Sequence, residues 1–254
     1  MCGHCSCGEP SAPEPAPSPP WRQVTLEENL LARNAHLAAH NREHFRAAGV
    51  RVVNLLSSPG SGKTALLERL PAFAPPSWRL AALVGDLATD NDARRLREAG
   101  LPAVQITTGQ ACHLEAAMVH RGLNALAAAG HPLAGLDLLL IENVGNLVCP
   151  AAFDLGEDLR LVLLSVTEGE DKPLKYPATF HGADVVVISK VDLAEAVGFD
   201  RALAHRNVRQ VAPGARLLEV SARQGTGLEA LLDALLPPGE TTPHALTAAA
   251  LPAG

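Results

Sequence analysis

SSPGSGKT, residues 57–64, is the stretch on which the fold turns. It follows the pattern G-x-x-x-x-G-K-[ST], in which the backbone amides of a glycine-rich loop surround a chain of phosphates. Gly60 and Gly62 let the loop close inward, so that amides from Gly60 through Ser61 and Thr64 to Ala65 face one centre. Lys63 brings an ammonium to the β- and γ-phosphates, and Thr64 offers a hydroxyl to Mg²⁺. Ser57 stands where the pattern has its first glycine, a position read here as shaping the turn only. Such a loop has to join a buried strand to a helix. Apolar residues 52–56 precede it and residues 65–70 read as helix, so the context fits.

Outward from the loop the pattern is strand, turn, helix, repeated. Short apolar runs at 50–56, 80–84, 104–106, 136–141, 159–166, 185–189 and 217–220 read as buried strands. Helical stretches at 64–70, 90–99, 114–129, 201–209 and 227–236 lie between most of them. Alternation of this kind predicts an α/β fold with a mostly parallel sheet covered on both faces by helices. Upstream, Thr25 with Glu28 reads as a capping box opening a helix to about Ala48, which Gly49 ends. The expected organisation is a cysteine motif at 1–8, a proline-rich linker at 9–24, the nucleotide-binding domain at 25–238 and a flexible tail at 239–254. The segment EPSAPEPAPSPP holds six prolines in twelve residues, which disqualifies it as helix or central strand and makes it an extended spacer.

Composition excludes several classes. With 21 basic against 27 acidic residues and no basic stripe, a nucleic-acid partner is not expected. No apolar run is long enough to span a bilayer, and the N-terminus lacks a secretory pattern, so the expected location is the cytoplasm, with thiols reduced. Of the basic residues only Lys63, Lys172, Lys175 and Lys190 are lysines. Two of these four sit in nucleotide motifs, where a compact ammonium on a flexible stem does what the planar guanidinium does not.

Those motifs extend the first loop. Asp86 ends the second strand and is read as a Mg²⁺ contact in a mobile switch segment, with Asp90 and Asp92 as lesser candidates. Glu142 opens E-N-V-G, a D-x-x-G element with glutamate for aspartate, at the carboxyl end of a strand where it can reach the metal. Ser189-Lys190-Val191-Asp192 is similar to the N-K-x-D element that selects guanine. Asp192 can accept from the guanine N1 and N2 donors, while Lys190's stem lies along the base. Ser189 replaces the usual asparagine. Ser221-Ala222 matches an S-A element whose amide meets the guanine O6. Adenine offers no donor pair for Asp192, so GTP is expected over ATP.

The five cysteines point to metal. Cys2, Cys5 and Cys7 form C-x-x-C-x-C on a segment with no core to join, in a compartment that disfavours disulfides. Three thiolates completed by a backbone amide or the free amine suit square-planar Ni²⁺, whereas tetrahedral Zn²⁺ asks for a fourth ligand such as His4. Cys112, His113 and Cys149 lie on two loops that both leave the carboxyl ends of strands, so one shared site is expected. His36, His40 and His44 recur at spacing four on one helix face and are read as a solvent-facing stripe.

Taken together the residues closely resemble the HypB family of GTPases, related to UreG, that load nickel into [NiFe]-hydrogenases. The resemblance rests on HLAAHNR, NLLSSPGSGKTALL, GDLATDNDA, TTGQACHLEA, IENVGNLVCPAAFDLGE and SVTEGEDKPLKYP. It implies a high-affinity nickel site at Cys2, Cys5 and Cys7. It also implies a second site for nickel or zinc at Cys112, His113 and Cys149, at the interface of a GTP-loaded homodimer. Implied partners are a HypA-type nickel chaperone and the hydrogenase large-subunit precursor. Two rivals remain on residues alone: a P-loop kinase of a small molecule, which leaves the cysteines unexplained, and a nickel store or sensor in which nucleotide is secondary.

Overall fold

A computed structural model describes residues 20–235 of the 254. The cysteine motif with Cys2, Cys5 and Cys7, most of the proline-rich spacer and the C-terminal tail lie outside the described residues. Seven strands form one all-parallel sheet: β1 (Arg51–Ser57), β2 (Leu80–Asp86), β3 (Ala103–Thr107), β4 (Leu138–Glu142), β5 (Leu159–Ser165), β6 (Val185–Ser189) and β7 (Arg216–Val220). Their order across the sheet is β3-β2-β4-β1-β5-β6-β7. Strand β1 is thus central, hydrogen-bonded to β4 on one side and β5 on the other. It marks the point where the winding reverses, and the crevice beyond its carboxyl end is where open α/β sheets bind ligands.

The strands read as unbroken apolar runs because both faces are covered. On one face Val53 and Leu55 of β1 pack with Leu66 and Leu67 of α2 (Lys63–Leu67) and Leu70 of α3 (Leu70–Phe73). Leu96 of α4 (Asn91–Glu98) and Leu231 join the same layer. On the other face Val52 of β1 packs with Phe45 of α1 (Pro20–Ala48) and Leu126 of α5 (Ala116–Ala128). Leu56 packs there with Phe180 and Val208. Each such leucine or phenylalanine withdrawn from water contributes about 1.5–3 kcal/mol before ordering entropy is subtracted.

Helix α1 begins at Pro20, five residues before the expected capping box, so the spacer reading of residues 20–24 is corrected. Proline is tolerated in a helix's first turn because its missing N–H would be unpaired there in any case. The other end is as expected. Gly49 has φ +68, and the amides of Gly49 and Val50 reach the carbonyls of Arg46 and Phe45, the hydrogen-bond pattern of a Schellman cap. Among the described residues no helix is long and apolar enough to cross a membrane.

Candidate functional site

The phosphate loop turns off β1 and α2 opens on Lys63, with Gly60 (φ +72) and Gly62 (φ +99) in backbone conformations that a side chain would strain. Lys63 is 7% exposed. Its Nζ donates to Ser57 Oγ at 2.8 Å, while Ser61 Oγ also donates to Ser57 and the Ser57 hydroxyl donates to the Ser58 carbonyl at 2.7 Å. Ser57 therefore does more than shape the turn, which corrects the sequence reading: it holds the ammonium inside the loop. Burial lowers the Lys63 pKa, opposed by the charge of Glu142.

Glu142 ends β4 beside this loop, 3% exposed. One carboxylate oxygen accepts from Thr64 Oγ1 at 2.8 Å, and the other, Oε2, is buried without a hydrogen-bond partner. A hydroxyl next to an unpartnered buried carboxylate oxygen is the donor set a hard divalent cation uses at a phosphate loop, so Thr64 and Glu142 fit Mg²⁺. Asp86 behaves differently. Its Oδ1 accepts from the amides of Ala88 and Thr89, both at 2.9 Å, and from the Thr89 hydroxyl. Burial pushes this carboxyl up, but those hydrogen bonds outweigh it and hold the pKa below the ordinary value. Asp86 organises its own loop, while Asp90, at the N-cap position of α4, pairs with Arg97 at 3.7 Å and Asp92 pairs with Arg95 at 3.3 Å.

Burial raises the Glu142 pKa to about 7, against the opposing pull of Lys63 and Thr64. An acid raised on folding binds more protons folded than unfolded between pH 4.5 and about 7, so its stabilising contribution is complete below 4.5 and lost as pH rises to 7. Replacing Glu142 with Gln removes that loss. In buffer free of Mg²⁺ and nucleotide, Glu142→Gln is expected to match wild type near pH 4.5 and exceed it by about 3 kcal/mol at pH 8. Urea unfolding at the two pH values measures this, and equal stability at pH 8 refutes the burial argument.

The elements read from the sequence as base-binding meet the loop from β6 and β7. Ser189 Oγ donates to the Ser61 carbonyl at 2.7 Å, so the serine that replaces asparagine ties β6 to the phosphate loop. Lys190 is the one non-glycine residue with positive φ among those described (φ 58), and its Nζ reaches the Gly60 carbonyl at 2.6 Å. Asp192 Oδ1 accepts from Ser221 Oγ at 2.6 Å. Ser61, Gly62, Ala65, Ser189, Lys190, Asp192 and Ala222 line one cavity of about 220 Å³, so every base contact read from the sequence borders it except Ser221, which orients Asp192.

The two inner cysteine loops converge. One potential ligand atom from each of Cys112, His113 and Cys149 lies within 4.8 Å of the others, and all three residues are half-buried. His113 stacks on Phe153 with ring centroids 3.9 Å apart, and its Nε2 is buried without a hydrogen-bond partner. Burial lowers its pKa, which keeps the imidazole neutral, the form that binds metal. A hydrogen bond with Cys112, then burial, raises the Cys149 thiol. Two thiols, one neutral imidazole and no disulfide form a soft donor set suited to nickel or zinc.

Three residues here escaped the sequence reading. Asn143 follows Glu142 and is fully buried; its Oδ1 accepts from the Leu114 amide at 3.1 Å and its Nδ2 reaches Asn54 Oδ1 at 3.3 Å. Asn146 pairs with Ser57 as an isolated bridge and donates through Nδ2 to the Cys112 carbonyl at 3.4 Å. Glu168, after β5, has both carboxylate oxygens buried without hydrogen bonds, with Lys172 Nζ 3.9 Å away. The run SVTEGEDK carried Glu168 in plain view, but no spacing rule marks a buried acid.

A sequence profile for the family described as CobW/HypB/UreG, nucleotide-binding domain, matches residues 51–219. The hydrogenase maturation factor HypB of Azotobacter vinelandii is 50% identical over 212 residues, 82% of this chain and 67% of that protein. The chain spans about two thirds of the length of the first curated relatives it matches. A crystal structure of HypB from Helicobacter pylori in complex with nickel superimposes with a TM-score of 0.75 at 44% identity, covering 78% of this chain and 91% of that one. The HypB crystal structure from Archaeoglobus fulgidus gives a TM-score of 0.72 at 42% identity, covering 80% and 96%.

Proposed function

The chain belongs to the CobW/HypB/UreG family, on its HypB branch, and on that premise we propose that it is a GTP-hydrolysing nickel metallochaperone for the maturation of a [NiFe]-hydrogenase. The observation that carries this reading is one short loop, residues 142–149. Glu142 begins it against Thr64 of the phosphate loop, and Cys149 ends it in the thiol–imidazole cluster. Between them Asn146 bridges Ser57, and Gly145 lies so close to Pro59 that an added Cβ would sit 3.0 Å from its Cα. The phosphate loop and the metal ligands flank one piece of backbone, which in this reading couples the two sites.

In this reading Asp192 chooses guanine through its carboxylate, and Lys63 leaves Ser57 for the β- and γ-phosphates when nucleotide enters. The inward amides of Gly60 to Thr64 and the Lys63 ammonium then stabilise charge as the γ-phosphoryl departs. Thr64 and Glu142 would hold Mg²⁺, which when bound would supply charge neutralisation to the triphosphate. Asp86 and its loop form the segment that responds to the γ-phosphate. Nickel is the cargo. Cys2, Cys5 and Cys7 capture it, and Cys112, His113 and Cys149 hold it in transit, with zinc as an alternative ion. Three ligands leave a coordination position open, which a second copy of the chain fills when both carry GTP. Delivery draws on a HypA-type chaperone and the hydrogenase large-subunit precursor, in the cytoplasm.

A nickel titration of the full chain with a non-hydrolysable GTP analogue or with GDP, with mass measured in parallel, tests the coupling. The expected result is a dimer with an additional nickel equivalent in the GTP form alone. Identical metal binding and a monomer in both states would sink it.

A further inference from the structure

The exposed histidine stripe on α1 meets a third imidazole. His40 and His44, one turn apart, meet His120 of α5, and one ring nitrogen from each lies within 4.8 Å of the other two. Ring centroids stand 4.3 Å apart for the first pair and 5.8 and 5.9 Å from each to His120. We propose that His40, His44 and His120 form a separate surface site for a borderline divalent transition ion: nickel, zinc or copper.

A bare solvated stripe would need no third imidazole from another element. His120 is half-buried, and its Nδ1 is buried without a hydrogen-bond partner, whereas a polar atom in that position normally has one. Two histidines at i and i+4 present nitrogens to one point, and a third ligand from a neighbouring helix closes the tripod. Nitrogens bound at about 2.0–2.1 Å lie about 3.0–3.4 Å from one another. The existing spacing is within roughly 2 Å of that, a difference that rotation of the exposed His40 and His44 rings covers.

The two backbones are already fixed relative to each other, so ligand placement does not depend on folding around the ion. Asn34 Oδ1 accepts from the Ala116 amide at 2.8 Å, and Asn41 Nδ2 donates to the Ala116 carbonyl at 2.9 Å, both from buried side chains. Arg42 grips both Asp154 oxygens at 2.8 Å. Gly156, with φ +93, lies so close beneath α1 that a Cβ would sit 2.7 Å from the Ala38 carbonyl. An all-imidazole set disfavours Mg²⁺ and Ca²⁺, which want oxygen, and suits Ni²⁺, Cu²⁺ and Zn²⁺. Three neutral ligands with open positions hold an ion that water or a thiolate can take over. The site also sits on the helix that follows the N-terminal cysteines in the chain and on the helix that opens just after His113.

The test uses the tag-free full chain with its thiols capped by iodoacetamide, titrated with Ni²⁺ and Zn²⁺ by calorimetry. One equivalent is expected to bind, to disappear in the His40→Ala/His44→Ala double variant, and to persist in His36→Ala, since His36 lies outside the cluster. Both altered side chains are exposed, so circular dichroism should match wild type. Loading with Co²⁺ should give d–d bands without thiolate-to-metal charge transfer. No binding after capping, or binding that survives the double variant, overturns the proposal. Neither outcome bears on the thiolate sites, so the proposed function stands or falls apart from it.

Discussion

Replacing Lys63 with Ala is expected to lower GTP turnover at least about a hundredfold, and more when Mg²⁺ is limiting. One donor lost from a preorganised anion site typically costs about 10²–10³ in rate, and here the donor is a buried ammonium. A second loss follows from Glu142. Lys63 is the chief influence holding that carboxyl down against burial, which already raises it to about 7. Without the ammonium the carboxyl rises further, so at neutral pH a smaller fraction is ionised to hold Mg²⁺ with Thr64. The deficit should therefore shrink as pH is raised from 7 to 9, while a pure loss of phosphate contact would be independent of pH. Phosphate release from GTP, with ATP as the control nucleotide, measures both parts. Normal turnover in Lys63→Ala removes the phosphate-loop assignment, and a pH-independent deficit removes the coupling to Glu142.

The same residues show where sequence reading succeeds and stops. That SSPGSGKT and SKVD would meet at one cavity was legible because each follows a strand of the same parallel sheet and local spacing carries the turn. The strands were legible because a sheet covered on both faces demands continuous apolar runs. Ser57 was read as a turn former, since its hydroxyl gains meaning only when Lys63 folds back onto it. The start of α1 was missed because proline-rich composition reads as spacer even where a proline occupies a helix's first turn. Asn143 and Asn146 drew no reading of their own, yet Asn146 joins Ser57 of the phosphate loop to Cys112, and Asn143 ties Leu114 to Asn54 of β1. His40 and His44 read as a solvent-facing stripe and both are exposed, but their closeness to His120 was not legible because that residue lies far along the chain on α5.

Removing the inner thiols should have an effect as large as removing Lys63, but on a different measurement. In Cys112→Ser/Cys149→Ser the nucleotide-dependent share of nickel binding is expected to weaken by more than about a hundredfold. Outer-shell changes around a metal typically cost about 10–100-fold, and this variant removes two soft ligands of three while leaving His113 on Phe153. The N-terminal Cys2, Cys5 and Cys7 remain, so total nickel uptake falls only in part. The discriminating quantity is the difference between GTP-bound and GDP-bound affinity, read by competition with a chromophoric chelator. Serine is nearly isosteric with cysteine, and both thiols are only half-buried, so little packing is lost. A nucleotide-dependent difference that persists in the variant would mean that loop 142–149 transmits to other ligands. Its disappearance, with guanine nucleotide still bound, would locate the coupling in the backbone that carries Glu142 at one end and Cys149 at the other.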